Sequence, residues 1–308
     1  MLNYVIITAA RNEEAVIRQP LDSVTRQTFL PQRWVIVDDG STDRTVEIVK
    51  EYQVRFPWIQ LLQRPPRGDR SFAGKAHAVN EALKQLSSVD YAIICNLDAD
   101  VSFDPDYMEF ILNQFHSNQK LGVGGTPFTE EGDYDSTRDS FEGENYVAGP
   151  CQLFRRECWD EIGGYLPNKA GGVDWIAVMT ARMKGWTARA FPEKRFHHHR
   201  SMGTAERGVH ASSFSYGEKD YYLGNSPVWE VFRIGFRLFK RPIVTGATAL
   251  LAGYLWAAVR RIPRAVSPEL MHFHRCEQMQ KLRNILKSLV TFKKVETFGT
   301  GSTSTKES

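Results

Sequence analysis

Short apolar segments that alternate with helical patterns constrain the fold of this chain more than any other feature. Three segments are rich in β-branched residues, as strands buried on both faces of a parallel sheet are: YVIITAA (4–10), WVIVDDG (34–40) and YAIICNLDAD (91–100). Helical patterns separate them, at residues 13–27, 45–56 and 75–86. This order predicts a doubly wound, Rossmann-like α/β sheet, in which ligands bind at the carboxyl ends of the strands.

The net charge of +3 is distributed unevenly along the chain. Residues 226–294 contain 13 Lys and Arg against 3 Asp and Glu, whereas residues 1–225 contain 25 against 31. The acidic part favours binding of a cation, and the basic part favours an anionic partner. We therefore expect an α/β domain at residues 1–225, a basic helical region at 226–294 and a disordered polar tail at 295–308.

The basic region contains two segments that suit a membrane surface. VWEVFRIGFRLFKR (228–241) is apolar except for one helical stripe, formed by Glu230, Arg233, Arg237 and Lys240 or Arg241. The next segment, residues 243–259, has 17 residues without a charge, which is the lower limit for crossing a bilayer. Three interpretations of it stay open, of which we favour the first: a re-entrant or interfacial hairpin, a membrane span and a buried core helix.

The remaining features predict that the protein lies at the inner face of the plasma membrane. A basic helix at residues 275–289 suits anionic headgroups, and the aromatic residues of the region do not alternate with charges as in nucleic-acid binders. None of the four cysteines forms a CxxC pair, and the chain begins directly with a strand. These patterns predict a cytoplasmic protein without a signal peptide, which binds an anionic membrane peripherally or monotopically and does not bind nucleic acid.

Carboxylates end two of the predicted strands. Asp38 and Asp39 follow the second strand, and Asp98 and Asp100 follow the third. Asp98 and Asp100 are two residues apart and so project from one face of the strand, where a divalent cation would relieve their repulsion. Such a cation commonly binds phosphates and neutralises a departing diphosphate. Taken singly, each acid is equally consistent with a helix cap or a solvated loop.

Other motifs narrow the class of ligand. Gly74-Lys75 begins a helix, where backbone N–H groups and an ammonium suit a phosphate, although a plain helix start explains it as well. The sequence has neither the GxxxxGK[ST] pattern of a P-loop nor a GxGxxG after its first strand. Both absences argue against the corresponding nucleotide-binding classes.

Six segments carry a resemblance to a known family. In order along residues 1 to 200 they are AARNEE (9–14), VDDGSTD (37–43), GKAHAVNEAL (74–83), LDAD (97–100), GPCQLFRRECWDEIGGY (149–165) and GGVDWIAVMTARMKGW (171–186). With these segments the chain resembles the family 2 glycosyltransferases, which have a GT-A fold. The resemblance implies an inverting transferase that moves a sugar from a nucleotide-diphosphate donor, such as a UDP-sugar, to a hydroxyl group of a lipid-linked or polysaccharide acceptor.

The resemblance also implies a role for individual residues toward the nucleotide. Asp39, with Asp38 beside it, would contact the uracil or the ribose. Asp98 would lie on the ribose side, where it could also reach the metal. The other residues implied in donor binding are Ala9, Ala10, Arg11, Glu13 and Lys75.

Further residues are implied for the metal, the diphosphate and the acceptor. Asp100 would bind Mn²⁺ or Mg²⁺ through the diphosphate. Within the run 197–200, alternation of side chains along a strand lets either His197 and His199 or His198 and Arg200 point the same way. We favour His198 as a metal ligand and Arg200 as a diphosphate contact, with a solvated or lipid-facing basic strand as the alternative. Asp174 would be the general base, although Val173 stands where the family carries Glu or Thr. Trp175, beside that base, is a candidate for stacking on the acceptor sugar, with core packing as the alternative.

Two other functions are weighed against this one. Nucleotidyltransferases use a similar sheet and metal, but they place a glycine-rich loop after the first strand, where this chain has AARNEEAV. A non-catalytic, membrane-associated protein that binds nucleotide sugars is the other alternative, and Val173 is the departure that favours it. The processive signature QxxRW is absent, which favours the addition of a single sugar.

Overall fold

The computed structural model describes residues 1–65, 72–130, 143–168, 171–200, 209–238 and 244–291. The predicted tail at residues 295–308 lies outside them. In the described part, the strands are β1 Tyr4–Ala10, β2 Arg33–Asp38, β3 Ile59–Gln63, β4 Ile93–Leu97, β5 Val101–Ser102, β6 Leu121–Gly125, β7 Phe128–Thr129, β8 Cys151–Arg155, β9 Thr187–Ala190 and β10 Phe196–His198. The α-helices are α1 Arg18–Thr25, α2 Thr45–Arg55, α3 Phe72–Gln85, α4 Tyr107–Ser117, α5 Arg156–Ile162, α6 Val173–Met183, α7 Val209–Tyr222, α8 Pro227–Arg237, α9 Thr245–Val259 and α10 Pro268–Thr291.

A central sheet and a small sheet build the α/β part. The central sheet has the strand order β3-β2-β1-β4-β8-β6-β9, and the small one has the order β5-β10-β7. Strands β1, β2 and β4 are parallel, as predicted, and so is β3, which was not predicted. Strand β8 runs antiparallel to both of its neighbours. The central sheet is therefore mixed rather than wholly parallel.

Polar residues make β8 difficult to recognise as a core strand from the sequence. Gln152 and Arg155 are buried, and both find partners inside the domain. Gln152 donates to the carbonyl oxygen of Val147 and accepts from the hydroxyl of Tyr165. Arg155 donates to the backbone carbonyls of Leu121, at the start of β6, and of Phe115, before it. Because buried polar groups are tolerated when they are hydrogen-bonded, a core strand need not be apolar throughout.

The central sheet is covered on both faces, as the alternation of strands and helices predicted. The side chains of β1 alternate between a core formed with α1, α2 and α4 and a second core formed with α3, α5 and α6. Tyr4 and Ile6 belong to the first core, and Val5 and Ile7 to the second. The carboxyl ends of β1, β2 and β4 therefore remain the open edge of the sheet.

The loops after β1 and β2 bind each other at this edge. Asn12 has φ of 56°, a left-handed conformation that asparagine tolerates better than most residues. Its side-chain oxygen accepts from the backbone N–H of Thr42, and its own N–H donates to Ser41. The N–H of Glu13 donates to the hydroxyl of Thr45. These bonds join the segments 9–14 and 37–43 into one rigid rim.

The basic region forms helices that pack together and on α6. Residues 245–259 form one continuous helix, α9, without the reversal that a hairpin within this segment requires. The favoured hairpin interpretation is therefore wrong. Its glycines do not break it, because Gly253 lies where α9 crosses α7 at close range, opposite Gly217. Among the described residues, no helix combines the length and the apolar composition that crossing a bilayer requires.

Two members of the predicted polar stripe, Glu230 and Arg233, face the protein interior, whereas Lys240 and Arg241 lie outside the described residues. Glu230 is buried, and Arg233 lies between it and Asp220 of α7, at 3.2 and 2.7 Å. Burial, reinforced by the charge of Asp220, raises the pKa of Glu230 to about 7. Val228 and Val231 are exposed instead. Helix α8 thus buries the charged Glu230 beside the apolar Trp229, whereas an ordinary amphipathic helix in a soluble protein keeps its charged side chains in solvent.

Close packing of α7 on α9 gives a stability test. A Cβ atom at Gly217 would collide with the carbonyl oxygen of Leu250, which is rigid backbone. We expect Gly217→Ala to destabilise the protein by about 1–3 kcal/mol or more, the range for overpacked cores. The matched control is Gly235→Ala in α8, where a Cβ atom meets nothing within 4 Å; it should be neutral or stabilise by up to about 1 kcal/mol. Urea denaturation measures both, and equal stability of the two variants would contradict the close crossing.

Candidate active site

A cleft of ≈ 220 Å³ lies at the open edge of the sheet. It lies where β1, β2 and β4 end and α3 begins, the position at which open α/β sheets bind ligands. Of the residues predicted to contact the nucleotide sugar, Asp38 does not line this cleft, whereas the others do. The lining consists of Ala9, Ala10, Arg11, Glu13, Asp39, Gly74, Lys75, Asp98, Ala99, Asp100 and Arg200.

Asp38 and Asp39 have different environments. Asp38 is 3% exposed, and its carboxylate accepts from the N–H of Ser41, so it shapes the turn after β2. The carboxylate of Asp39 faces the cleft and accepts from Arg64 at 2.9 Å. Arg64, which is buried, also contacts Glu81 at 3.0 Å. A Cβ atom at Gly74 would lie 3.2 Å from Asp39 Oδ2, so the glycine lets α3 begin close to this carboxylate.

Lys75 and Asp98 form an ion pair across the cleft. Lys75 Nζ lies 2.5 Å from Asp98 Oδ1. Burial raises the pKa of Asp98, and the ammonium opposes this effect. Burial also lowers the pKa of Lys75, but the charge of Asp98, supported by Asp174 and Asp100, outweighs it and leaves this pKa raised. Lys75 therefore stays cationic, and it lies within the field of all three carboxylates.

The small sheet brings a second group of charged residues to Asp100. Strand β10 pairs with β5 and β7, so His198 lies beside Val101 and follows residues paired with Phe128 and Thr129. His198 Nε2 is 3.4 Å from Asp100 Oδ1, and Arg200 Nε is 3.8 Å from Asp100 Oδ2. Arg200 also forms an ion pair with Glu13. Burial lowers the pKa of His198, but hydrogen bonds to Asp100 and Glu130 outweigh it and raise this pKa.

The alternation predicted for residues 197–200 agrees with this geometry. His198 and Arg200 both face Asp100. The rings of His197 and His199 contact each other on the other side, at 4.6 Å between centroids, and His199 Nε2 lies 2.8 Å from the hydroxyl of Ser102.

Asp174 lies in the first turn of α6, beyond the cleft lining. The N-cap of α6 is Gly172, with φ of 73°, and no side chain caps the helix, so Asp174 is not the cap. Its carboxylate packs on Gly149, where a Cβ atom would collide with it. The glycine of the GPCQ segment thus leaves room for this carboxylate.

Trp175 points toward the helical region rather than into the cleft. Its ring contacts His274 of α10 edge-on, with centroids 4.8 Å apart, and packs with apolar residues of α6 and α10. Arg182 of α6 and Glu277 of α10 form an ion pair at 2.5 Å beside it. In this position Trp175 fixes α6, which carries Asp174, to the helical region.

The charged groups of the cleft fit a divalent cation only together with a phosphate ligand. No group of three or more His, Cys, Asp or Glu side chains in the described ranges could by itself hold a metal. Asp100 and His198 provide one oxygen and one nitrogen 3.4 Å apart, while Asp98 forms an ion pair with Lys75. Mg²⁺ and Mn²⁺ are commonly bound by one or two protein ligands plus phosphate oxygens and water. Asp100 and His198 meet that requirement.

The fold and the cleft define a GT-A glycosyltransferase, and a family model supports the same class. The model for "Glycosyl transferase family 2" matches residues 5–167, more than half of the chain. The chain therefore belongs to glycosyl transferase family 2, and the predicted fold class and enzyme class are confirmed.

Curated relatives share a shorter segment. The poly-beta-1,6-N-acetyl-D-glucosamine synthase of Staphylococcus epidermidis is 33% identical over 124 residues, which are 39% of this chain and 27% of that protein. The corresponding synthase of Staphylococcus aureus (strain COL) is 32% identical over 122 residues, again 39% and 27%. The match thus spans about a quarter of the length of these relatives.

Solved structures share the fold over nearly the whole chain. The mannosyltransferase PcManGT from Pyrobaculum calidifontis, in complex with GDP-Man and Mn²⁺, has a TM-score of 0.57 at 19% identity and covers 94% of this chain and 83% of that one. TarS 1-349 of S. aureus, in complex with UDP-GlcNAc, has a TM-score of 0.53 at 16% identity, with 95% and 93% covered. At these identities the likeness concerns the fold.

Proposed function

We propose that the protein is an inverting glycosyltransferase that uses a nucleotide-diphosphate sugar. The observation that carries this proposal is the cleft, in which Lys75 and Arg200 lie opposite Asp98 and Asp100 around one volume at the edge of the sheet. Cations beside acidic residues suit a diphosphate bound together with a divalent metal. Asp39, held by Arg64, offers carboxylate oxygens to N–H or O–H groups of the base or ribose.

The relatives support a donor and acceptor class. The related synthases are named for a polymer of N-acetyl-D-glucosamine, and TarS was solved with UDP-GlcNAc. We propose transfer of a hexosyl or N-acetylhexosaminyl group, with UDP as the nucleotide and a hydroxyl group of a lipid-linked or polysaccharide acceptor as the nucleophile. This reaction belongs to the synthesis of a cell-envelope polysaccharide.

Asp100 and His198 would hold Mn²⁺ or Mg²⁺, with Asp98 as an additional ligand once Lys75 turns to the diphosphate. A bound metal supplies positive charge to the leaving nucleoside diphosphate. The remaining charge comes from this chain: Lys75 and Arg200 donate to phosphate oxygens, and Arg200 leaves Glu13 to do so.

Asp174 would act as the general base. The acceptor oxygen attacks the anomeric carbon, the bond from that carbon to the diphosphate oxygen breaks, and the proton of the acceptor hydroxyl passes to the Asp174 carboxylate. The configuration at the anomeric carbon is thereby inverted. The position of Asp174 beside Gly149 and within the field of Lys75 supports this role. General-base catalysis contributes about 10²–10⁴-fold.

Replacement of the base gives the test of this function. Asp174→Asn should lower Mn²⁺-dependent UDP release from UDP-N-acetylglucosamine and other UDP-sugars by about 10²–10⁴-fold, while UDP affinity stays within about 3-fold, because the donor contacts remain. UDP release is measured by a coupled assay and UDP affinity by calorimetry. The matched control is Asp106→Asn. Asp106 also lies at the start of a helix, but its carboxylate pairs with Lys194 away from the cleft.

Two results would contradict this account. Wild-type turnover in Asp174→Asn would place the base elsewhere. Tight UDP binding by a wild-type protein that turns over no UDP-sugar would favour the alternative of a non-catalytic binding protein.

We also propose that the helical region binds the inner face of the plasma membrane, with an anionic lipid surface as the partner. The exposed side of α9 is a stripe without charge, formed by Thr248, Ala252, Leu255, Trp256 and Val259. Arg260 lies over the Trp256 ring at 4.5 Å, a pairing of apolar and cationic groups that suits headgroups. The exposed Val228 and Val231 of α8 and the excess of Lys and Arg in residues 226–294 support the same surface.

Flotation with lipid vesicles tests the membrane proposal. Trp256→Glu combined with Val259→Glu should reduce binding to phosphatidylcholine–phosphatidylglycerol vesicles by about 10-fold or more, since burial of each apolar side chain contributes about 1.5–3 kcal/mol. The control is Val54→Glu, which changes an 85% exposed valine of α2. The proposal would be contradicted if all of the wild-type protein stayed unbound to the vesicles at low salt. Equal binding to vesicles of phosphatidylcholine alone would also contradict it.

A further inference from the structure

Glu130, which the sequence did not single out, lies beside the predicted metal ligand His198. Its carboxylate is 7% exposed, and Glu130 Oε1 is 3.0 Å from His198 Nδ1. It follows β7, and it reaches His198 because β7 pairs in parallel with β10. We infer that Glu130 is a positioning residue that orients His198 toward the cation at Asp100. This inference rests on the metal site of the proposed function.

The two ring nitrogens of His198 face different carboxylates. Nδ1 faces Glu130, and Nε2 faces Asp100 at 3.4 Å. A carboxylate that accepts from Nδ1–H keeps the proton on that nitrogen and directs the Nε2 lone pair outward, which is the arrangement found behind histidine ligands of metals. In His198, Nε2 is the nitrogen that faces Asp100, so a cation bound by Asp100 would lie where this lone pair is directed.

Packing also restricts the orientation of the His198 ring. The ring of Phe128 contacts the His198 ring edge-on, with centroids 5.7 Å apart. The His198 side chain is 7% exposed. A ring that is packed on one side and hydrogen-bonded at Nδ1 loses little freedom when Nε2 binds a cation, so the affinity for that cation rises.

A role for Glu130 as a ligand of the same cation does not fit this geometry. Glu130 and Asp100 lie at the two different nitrogens of one imidazole, so the ring separates them. Nor does the small sheet need the carboxylate for its pairing, because backbone bonds already join β10 to β5 and β7. Burying a carboxylate costs free energy unless it is hydrogen-bonded, and the contact with His198 Nδ1 at 3.0 Å provides a hydrogen bond.

The experiment measures Mn²⁺ affinity in the presence of saturating UDP, from the free Mn²⁺ signal in electron paramagnetic resonance. It compares the wild type, Glu130→Ala, His198→Ala and the double variant. Loss of an orienting partner typically weakens metal binding by about 10–100-fold. We expect a loss of this size for Glu130→Ala, and no further loss when it is added to His198→Ala. Glu130→Gln, which keeps the size of the side chain, should lose less, because its amide oxygen can still accept from Nδ1–H.

Each outcome decides between the claims. Wild-type Mn²⁺ affinity in both Glu130→Ala and Glu130→Gln would overturn the inference and leave the proposed metal site intact. A loss of Mn²⁺ affinity in the double variant equal to the product of the two single losses would also overturn it, because Glu130 would then act independently of His198. No Mn²⁺ binding by the wild type with UDP would overturn the proposed metal site itself. UDP affinity in EDTA, unchanged in all variants, controls for a general loss of structure.

Discussion

Mutual compensation of charge at the open edge of the sheet is the constraint on which the site depends. Asp39 follows β2, and Asp98 and Asp100 follow β4, on either side of β1 at the same edge of the sheet. Each of these acids has a cation from another part of the chain: Arg64, Lys75, and His198 with Arg200. When a diphosphate binds with its metal, these side chains would exchange their ion pairs within the protein for contacts with the ligand. The free protein thus keeps the binding groups charged and in place, which reduces the reorganisation that binding requires.

Connectivity explains why the pairs form. The three acids follow the ends of β2 and β4, but their partners come from β10 and the residues after it, from the residue after β3 and from the start of α3. Helix α6 then sets Asp174 against Gly149, and contacts of Trp175 and Arg182 with α10 hold that helix. The helical region therefore supports the position of the proposed base as well as presenting an apolar face.

The sequence predicted those features that depend on neighbouring residues. Strand β1 and the cleft residues beside it follow from an apolar run and the carboxyl-end rule, and the facing of His198 and Arg200 follows from alternation. It missed β8, in which Gln152 and Arg155 interrupt the apolar pattern, and it missed Arg64 and Glu130. Their partners Asp39 and His198 are 25 and 68 residues away in the chain, and a single sequence carries no signal for such a contact. The hairpin interpretation of α9 was wrong because it took the glycines and alanines of this segment only as a sign of moderate hydrophobicity, whereas Gly253 permits close packing against α7.

The most direct test of the central claim is thermal stabilisation by a panel of nucleotide sugars, with and without Mn²⁺. At a concentration of 100 times Kd, a ligand of the folded state adds about 2.7 kcal/mol of stability. The account predicts that a UDP-sugar raises Tm strongly with Mn²⁺, weakly in EDTA, and without metal dependence in Asp100→Asn. No shift with any nucleotide sugar, or an equal metal-dependent shift in Asp100→Asn, would contradict it.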